Sequence, residues 1–303
     1  MNKKLRYYFN YIDQCNMCGS PTASHKVLGR RLNRSQGRNP KIKVGIATSV
    51  AQCSSCSLVY ANPQPVPFDL QDHYGVPPEN YWKEHYFVPN ENYMKGEIAI
   101  FKGLVDFKDG MKSLDIGAGL GKGMIALTKA GLDAYGFEPS KPFYERAISR
   151  MGIPADKLKL GMIEDMDYPE NSFDFISFGA VLEHLYNPAQ SIEMAMKWLK
   201  PEGIIYIQVP SSHWLINKLV NFYYRLVGTD YVANISPMHD PYHLYEFGLA
   251  SFQAHAQKHQ YEVAFHEFYV CQTYMPKLAD YLLKPYMKYT NTGMQLSVWL
   301  KKK

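Results

Sequence analysis

From Met111 the chain carries a short apolar run through Leu114 and Ile116, breaks on Gly117, Gly119, Gly121 and Gly123, and resumes as Met124, Ile125 and Leu127 at helical spacing. The pattern predicts strand, glycine turn and helix. A second apolar run, Ala134 to Phe137, ends on Glu138, about 20 positions after Asp115, which predicts a βαβ unit with an acid at the carboxyl end of its second strand. Upstream, Ile98, Phe101, Leu104 and Val105 recur at helical spacing, so a helix over Met94 to Phe107 is expected to cover the sheet.

Downstream the alternation continues. Pro142 to Met151 reads as a helix, Lys157 to Leu160 as a third strand, and Gly161 to Met166 as the turn after it. Phe175 to Phe178 forms a fourth strand. Asn187-Pro188 starts a helix through Leu199, which Lys200-Pro201-Glu202-Gly203 ends, and Ile204 to Val209 is the fifth strand. A helix from Leu249 to Lys258 and strands near Tyr261 to Phe268 and Met294 to Leu300 close the chain. Strands alternating with helices predict an α/β fold with a Rossmann-like sheet.

At 303 residues, one large domain and a small one are expected, and 46% hydrophobic content is ample for a core. The net charge of +5 is mild, and part of it sits in Lys3, Lys4, Arg6 and Lys301 to Lys303, so no nucleic-acid partner is expected. Met1 to Asn10 lacks the apolar core of a signal peptide and no run approaches a membrane span, so the chain reads as cytoplasmic.

Of five cysteines, four fall as two knuckles, Cys15-Asn16-Met17-Cys18 and Cys53-Ser54-Ser55-Cys56, and Cys271 stands alone in a late apolar segment. Paired knuckles predict structural zinc: four thiolates close a tetrahedral sphere and stabilise a small lobe without a large core. Disulfides are disfavoured by the expected compartment, and redox pairs by the lack of a thioredoxin-like unit around them. Between the knuckles Arg30, Arg31 and Arg34 begin a basic stretch to Lys43, broken by Gly37 and Pro40 and read as a mobile loop. Asn62 to Pro67 is a proline-fixed exit from the ribbon. Tyr74, Tyr81, Trp82, Tyr86, Phe87 and Tyr93 follow, and these rings suit either a lid over a substrate or glue between lobes.

The glycine turn offers nucleoside binding: glycines let a ligand approach the amides, and a carboxylate ending the second strand can accept from both ribose hydroxyls. A dinucleotide fingerprint requires glycine where Lys122 stands, and a phosphate loop requires Gly at 116 and Ser or Thr at 123, so both patterns fail. The form Asp115-x-Gly117-x-Gly119-x-Gly121 with a later acid resembles the class I S-adenosylmethionine-dependent methyltransferases. Leu182-Glu183-His184-Leu185-Tyr186-Asn187-Pro188, followed by Leu199 to Ser211, is similar to the branch holding quinone-precursor and sugar methyltransferases. The resemblance spans about one third of the chain. It implies S-adenosylmethionine as cofactor, held by Asp115, Gly117, Ala118, Gly119, Glu138, Pro139 and Phe178, with Glu138 on the ribose. It also implies an adenine contact after the third strand. Met162 stands where the commonest form has Asp, so that contact is assigned to the Ile163 backbone and Glu164. The last two strands match the family's terminal antiparallel addition to a parallel sheet.

His184 falls just past the fourth strand, at the edge where open α/β sheets bind ligands. His243 and Glu246 lie in His239-Asp240-Pro241-Tyr242-His243-Leu244-Tyr245-Glu246-Phe247, within a segment expected to fold over that edge. Methyl transfer to a hydroxyl needs a proton acceptor, and imidazole suits physiological pH. His243 is the expected base, with His184 or Glu246 assisting. The bland alternative is that Glu183 and His184 cap a helix and that His239, His255, His259 and His266 serve surface or packing roles. The family's magnesium cluster has an echo in Glu183, His184 and His243, but Ala180 replaces its first carboxylate. Trp214 to Val227, apolar and aromatic, reads as a cap on a pocket or a surface for lipid-linked substrates.

These readings converge on a zinc-ribbon lobe at 1–62, an aromatic linker and covering helix at 63–110, and a methyltransferase domain at 111–303 with a substrate-side insert near 211–248. The expected reaction is O-methylation of a sugar, nucleotide-sugar or glycan intermediate. The alternatives are O- or C-methylation of a quinone-like or other aromatic small molecule, or a non-catalytic partner-binding module; intact Asp115, Gly117, Gly119 and Glu138 argue against the last. The acceptor and oligomeric state are left open by the sequence.

Overall fold

A computed structural model of the chain describes residues 7–32, 46–69, 71, 82–235, 242–271, 273 and 275–303. Tyr74, Tyr81, Arg34 and the segment His239 to Pro241 lie outside them. The N-terminal lobe holds β1 (Tyr7–Asn10), β2 (Lys26–Leu32), β3 (Ala47–Gln52), β4 (Val59–Asn62) and β5 (Gln64–Pro67). β1 pairs antiparallel with β5, while β2, β3 and β4 form an antiparallel meander.

After α1 (Lys95–Leu104) the larger sheet begins. It is built from β6 (Lys112–Ile116), α2 (Lys122–Lys129), β7 (Asp133–Glu138), α3 (Lys141–Met151), β8 (Leu158–Leu160) and β9 (Phe173–Gly179). The chain continues through α4 (Pro188–Trp198), β10 (Leu199–Pro210), α5 (Leu215–Leu226), β11 (Tyr245–Glu246), α6 (Leu249–Ala256), β12 (Tyr261–Tyr269), α7 (Lys277–Tyr289) and β13 (Gln295–Lys302). The seven-stranded order is β12-β13-β10-β9-β6-β7-β8. Pairings from β8 through β10 are parallel, and β13 runs antiparallel to both β10 and β12.

Ser113 to Ile116 are buried without alternation because helices cover both faces, as a parallel sheet requires. One core, with Leu114, Ile116, Phe178 and Ile207, continues into the N-terminal lobe through Leu58 and Tyr60; another packs Phe101, Leu127, Phe175 and Trp299 on the opposite face. The order of strands along the sheet reverses between β6 and β9, which stay parallel, so their carboxyl ends open the crevice where such sheets take ligands.

Three local expectations are revised. Lys200 to Gly203 does not separate a helix from a strand: β10 already begins at Leu199, and its register against β9 jumps between Leu199 and Ile204. Gly203 is needed because a Cβ there would lie 2.8 Å from Leu199 Cδ1 and 3.0 Å from the Asp174 carbonyl oxygen. Arg30 and Arg31 are not loop residues but belong to β2, where Arg30 Nε meets Asp230 at 2.7 Å and Arg31 is buried. Finally, β11 crosses into the smaller sheet, Tyr245 pairing with Tyr60 and Glu246 with Val59, so that sheet reads β11-β4-β3-β2.

α5 buries Ile216 and Asn217 but turns Leu219, Phe222, Tyr223 and Leu226 outward. No helix among the described residues is long and apolar enough to cross a membrane.

Candidate active site

Gly117, Gly119 and Gly121 all have left-handed backbone, with φ of 68°, 56° and 77°, which only glycine adopts without cost. Glu138, at the end of β7, accepts from the Gly119 amide at 2.7 Å and from the Ser140 amide at 2.8 Å. Burial pushes its carboxyl up to about 7, against those hydrogen bonds and with a small push from Asp115. Asp115 is likewise raised, to about 6, by burial, while the Ser177 hydroxyl donating at 2.7 Å opposes the shift.

Gly123 lets α2 close on this acid: a Cβ there would stand 2.3 Å from Asp115 Oδ2. Ala118 is buried, its amide donating to the Phe137 carbonyl at 3.0 Å. The Gly161 amide donates to the Glu138 carbonyl, which brings the end of β8 beside the acid, and Ile163 to Asp165 then form one tight helical turn. Ile163 is buried, Glu164 is exposed, and the acid that caps the Met162 amide is Asp165. Phe178 is wholly buried in the core, so it supports the crevice floor from beneath.

The aromatic segment packs over the same end of the sheet. Trp82 lies against Phe143 with centroids 5.1 Å apart, the Arg146 guanidinium covers Trp82 at 4.0 Å, and Lys122 sits 5.2 Å from the Tyr86 ring. Gln71 donates to the Pro139 carbonyl at 2.7 Å. These contacts bridge α2 and α3, as a strap across the glycine turn would.

At the carboxyl end of β9 the chain folds back so that Val181 rests on the glycine turn; a Cβ at Gly117 would meet Val181 Cγ2 at 2.6 Å. Leu182 to His184 make one helical turn. The His184 and His243 rings meet edge to face at 4.7 Å, and the Leu244 amide donates to the Glu183 carbonyl at 2.7 Å, holding the two segments in register. His184 Nδ1 lies 2.9 Å from the Tyr242 carbonyl oxygen. A carbonyl only accepts, so Nδ1 carries hydrogen and Nε2 is the acceptor of the neutral ring. Glu183 is buried beside the pair, and desolvation raises its carboxyl to about 8. One ligand atom from each of Glu183, His184 and His243 lies within 4.8 Å of the others.

The structure holds the Glu246 carboxylate on other partners than these histidines. The carboxylate accepts from Asn217 Nδ2 at 3.1 Å, Asn234 Nδ2 at 2.6 Å and the Ile235 amide at 2.6 Å, and it faces the buried charge of Arg31. These bonds brace α5 and the segment at Asn234 and Ile235 against β11. Sequence reasoning missed Ser177, Val181 and Gln71, whose contacts are long-range and leave no local signal.

The four knuckle cysteines also converge. Cys15 Sγ lies 3.5 Å from Cys56 Sγ, as Cys18 Sγ does from Cys53 Sγ, and all four sulfurs fall within 4.8 Å. The knuckles are built alike: the Gly19 amide donates to the Cys15 carbonyl and that of Ser57 to Cys53, with φ of 71° and 62° at those two residues. Sulfurs 2.3 Å from one ion in tetrahedral array stand about 3.8 Å apart, close to the spacing seen.

A family model described as a methyltransferase domain matches residues 93–264. A ubiquinone biosynthesis O-methyltransferase of Rhodopseudomonas palustris is 27% identical over 135 residues, covering 43% of this chain and 49% of that protein. Phosphoethanolamine N-methyltransferase 3 of Arabidopsis thaliana is 27% identical over 110 residues, 35% of this chain and 22% of the relative. The chain thus spans about half, or less, of the length of these curated relatives. A solved structure of an Archaeoglobus fulgidus S-adenosylmethionine-dependent methyltransferase superposes over 74% of this chain and 97% of its own, at 15% identity and a TM-score of 0.47. The family match covers more than half of the chain and contains the glycine turn, Glu138 and the His184–His243 pair, so the chain belongs to the class I S-adenosylmethionine-dependent methyltransferases.

Proposed function

We propose that the chain transfers a methyl group from S-adenosylmethionine to a hydroxyl oxygen of a small-molecule acceptor, with sugars, nucleotide-sugars and glycan intermediates the first class to test. The observation that carries this reading is the His184–His243 pair, held at the crevice edge with the His184 tautomer fixed by the Tyr242 carbonyl. The cofactor fits the residues present: a buried carboxylate beside amides of left-handed glycines suits a ribose and an adjacent polar chain. Bound S-adenosylmethionine supplies an electrophilic methyl on a sulfonium. Glu138 accepts from the ribose hydroxyls, the glycine turn carries the amino-acid portion, and Ile163 and Glu164 lie at the adenine end. Val181 closes the turn from above and excludes water. The acceptor is oriented against the histidines, and an imidazole Nε2 takes its hydroxyl proton as the new carbon–oxygen bond forms and the methyl–sulfur bond breaks, its electron pair staying on sulfur as a neutral thioether.

Zinc fits the four knuckle sulfurs, a soft donor set with no oxygen ligand among them. Its proposed role is to hold the N-terminal lobe together, and through β11 and β4 that lobe also holds the segment bearing His243.

A phenolic acceptor is the second reading, favoured by the close grouping of Glu183, His184 and His243 and by the quinone-pathway relative. These donors would hold a divalent cation that acidifies a phenol. Transfer of labelled methyl is to be measured over panels of sugar nucleotides and catechols, with and without added magnesium. Activity on sugars without magnesium supports the first reading, magnesium-dependent activity on catechols the second, and no cofactor binding overturns both.

A further inference from the structure

α7 is built inside out. Leu278, Tyr281, Leu282, Tyr286 and Tyr289 recur at helical spacing along one stripe, the stripe that a helix of a globular domain ordinarily turns to the core. Here it faces outward, with exposures from 55% at Tyr286 to 88% at Tyr289. The polar side turns inward instead: Asp280 accepts from the hydroxyl of buried Thr273 and pairs with Lys284 at 3.2 Å, while Met287 is buried.

α5 repeats the pattern. Leu219, Phe222, Tyr223 and Leu226 form an outward stripe, and Ile216 and Asn217 are buried on the other side. The two helices meet at a joint beyond the end of β10, where the Leu215 amide donates to the Thr292 carbonyl at 3.2 Å and the Ser211 amide to the Met294 carbonyl at 2.9 Å. Half of the exposed large hydrophobic side chains among the described residues lie on these two helices. Exposed apolar residues scattered singly are ordinary, whereas two adjoining stripes mark a surface that something covers.

Charge decides what covers it. α5 carries Lys218 and Arg225 and no acid, and α7 carries Lys277, Lys284 and Lys288 against Asp280, whose carboxylate is already paired. A second copy of the chain would set these cations against their own kind. We infer that α5 and α7 form a docking surface for an anionic lipid bilayer, on which both helices lie in the headgroup plane. Leucine and phenylalanine side chains enter the acyl boundary, tyrosine rings rest with their hydroxyls among the headgroups, and the lysines and arginine reach lipid phosphates. Neither helix spans: α7, at 13 residues, is about 20 Å long against a hydrocarbon core about 30 Å thick.

The surface is tied to the acceptor side of the crevice. Asn217, on the buried side of α5, donates to Glu246, three residues beyond His243. The helix that meets lipid thus also braces the segment bearing the proposed base.

The test uses the full-length chain, sedimented with vesicles of phosphatidylcholine alone or of a roughly 2:1 mixture of phosphatidylcholine and phosphatidylglycerol. Wild type is expected to bind the anionic vesicles at least about tenfold more tightly than the neutral ones and to be released as salt is raised. Leu282→Glu and Phe222→Glu each put a carboxylate on an exposed stripe; each is expected to weaken vesicle binding by about tenfold or more, with melting temperature and S-adenosylmethionine affinity unchanged. Lys277→Gln combined with Lys288→Gln is expected to lose the preference for anionic vesicles. Sedimentation equilibrium without lipid tests the rival occupant. A wild type that ignores vesicles but self-associates, with Leu282→Glu monomeric, would give the face to a second copy and overturn the lipid surface. Equal affinity for neutral and anionic vesicles, or binding that survives both glutamate substitutions, would overturn it as well.

Discussion

Glu138 accepts a hydrogen bond from the Gly119 amide at 2.7 Å, so the acid at the end of β7 and the turn after β6 are joined before any ligand arrives. The carboxylate is thereby held in one rotamer, with its remaining lone pairs available to ribose hydroxyls. Glu138→Ala removes both the ligand contact and the lock on the turn. Hydrogen bonds to a charged group contribute about 1.5–3 kcal/mol each, so calorimetric titration with S-adenosylmethionine is expected to show affinity at least about 30-fold below wild type. Wild-type affinity in this variant would remove Glu138 from the ribose site.

The same carboxylate makes binding pH-dependent. Its usual value of 4.5 is raised to about 7 in the folded chain, chiefly by burial. A raised acid contributes stability that is fully present below 4.5 and is lost as pH climbs through about 7, because ionisation then occurs in a buried place. Ligand binding runs the other way, since ribose hydroxyls donate to the ionised form. Affinity for S-adenosylmethionine is therefore expected to rise by up to about tenfold per pH unit below 7 and to level off above it. Titrations at about pH 5.5 and about pH 8.5 check this, and a flat profile would mean that Glu138 binds the ribose in its neutral form.

The strand, turn and helix from Lys112 to Lys129 were legible in the sequence because every signal there is local: apolar spacing, glycines and an acid at a fixed distance. The cysteine knuckles were legible for the same reason. The Lys200 to Gly203 stretch misled because Pro201 and Gly203 signal a turn, whereas the strand absorbs them as an irregularity in register. The charge of Arg31 near Glu246 and the β11–β4 pairing bring together residues roughly 200 positions apart, and no periodicity within either segment encodes the partner. Glu246 looked catalytic because it sits three residues from His243. A two-residue strand in which Tyr245 and Glu246 are pinned by β4 sends its carboxylate toward Asn217 and Asn234 instead.

That difference separates two substitutions. Glu246→Ala leaves three buried donors without their acceptor and Arg31 without its counter-charge, a loss of about 3 kcal/mol or more, visible as a lower denaturant midpoint. Glu246→Gln keeps one acceptor oxygen, so it is expected to cost less stability and to retain methyl transfer within about tenfold of wild type. His243→Ala should show the opposite: an unchanged midpoint within about 1 kcal/mol, normal cofactor affinity, and transfer reduced by about 100-fold or more, the range a lost general base commands. Transfer abolished in Glu246→Gln at normal stability would return that residue to the chemistry.

Cys53→Ser tests how far the N-terminal lobe reaches. The lobe's β4 holds β11, and Tyr245 in β11 also donates through its hydroxyl to the Tyr186 carbonyl, just before α4 begins at Pro188. The glycine turn, Glu138 and Ser177 belong to the larger sheet and touch none of these groups directly. Loss of one thiolate should release the metal from the knuckles and loosen β4, which frees the segment carrying His243 while the cofactor crevice stays formed. The expected result is metal content lower by one ion per chain, S-adenosylmethionine affinity within about threefold of wild type, and transfer reduced by about tenfold or more, because misplacing a proton acceptor by an ångström costs rate without costing cofactor binding. Elemental analysis, titration and a labelled-methyl assay on the same preparation separate these effects. If affinity falls in step with transfer, the lobe supports the whole crevice rather than its acceptor side.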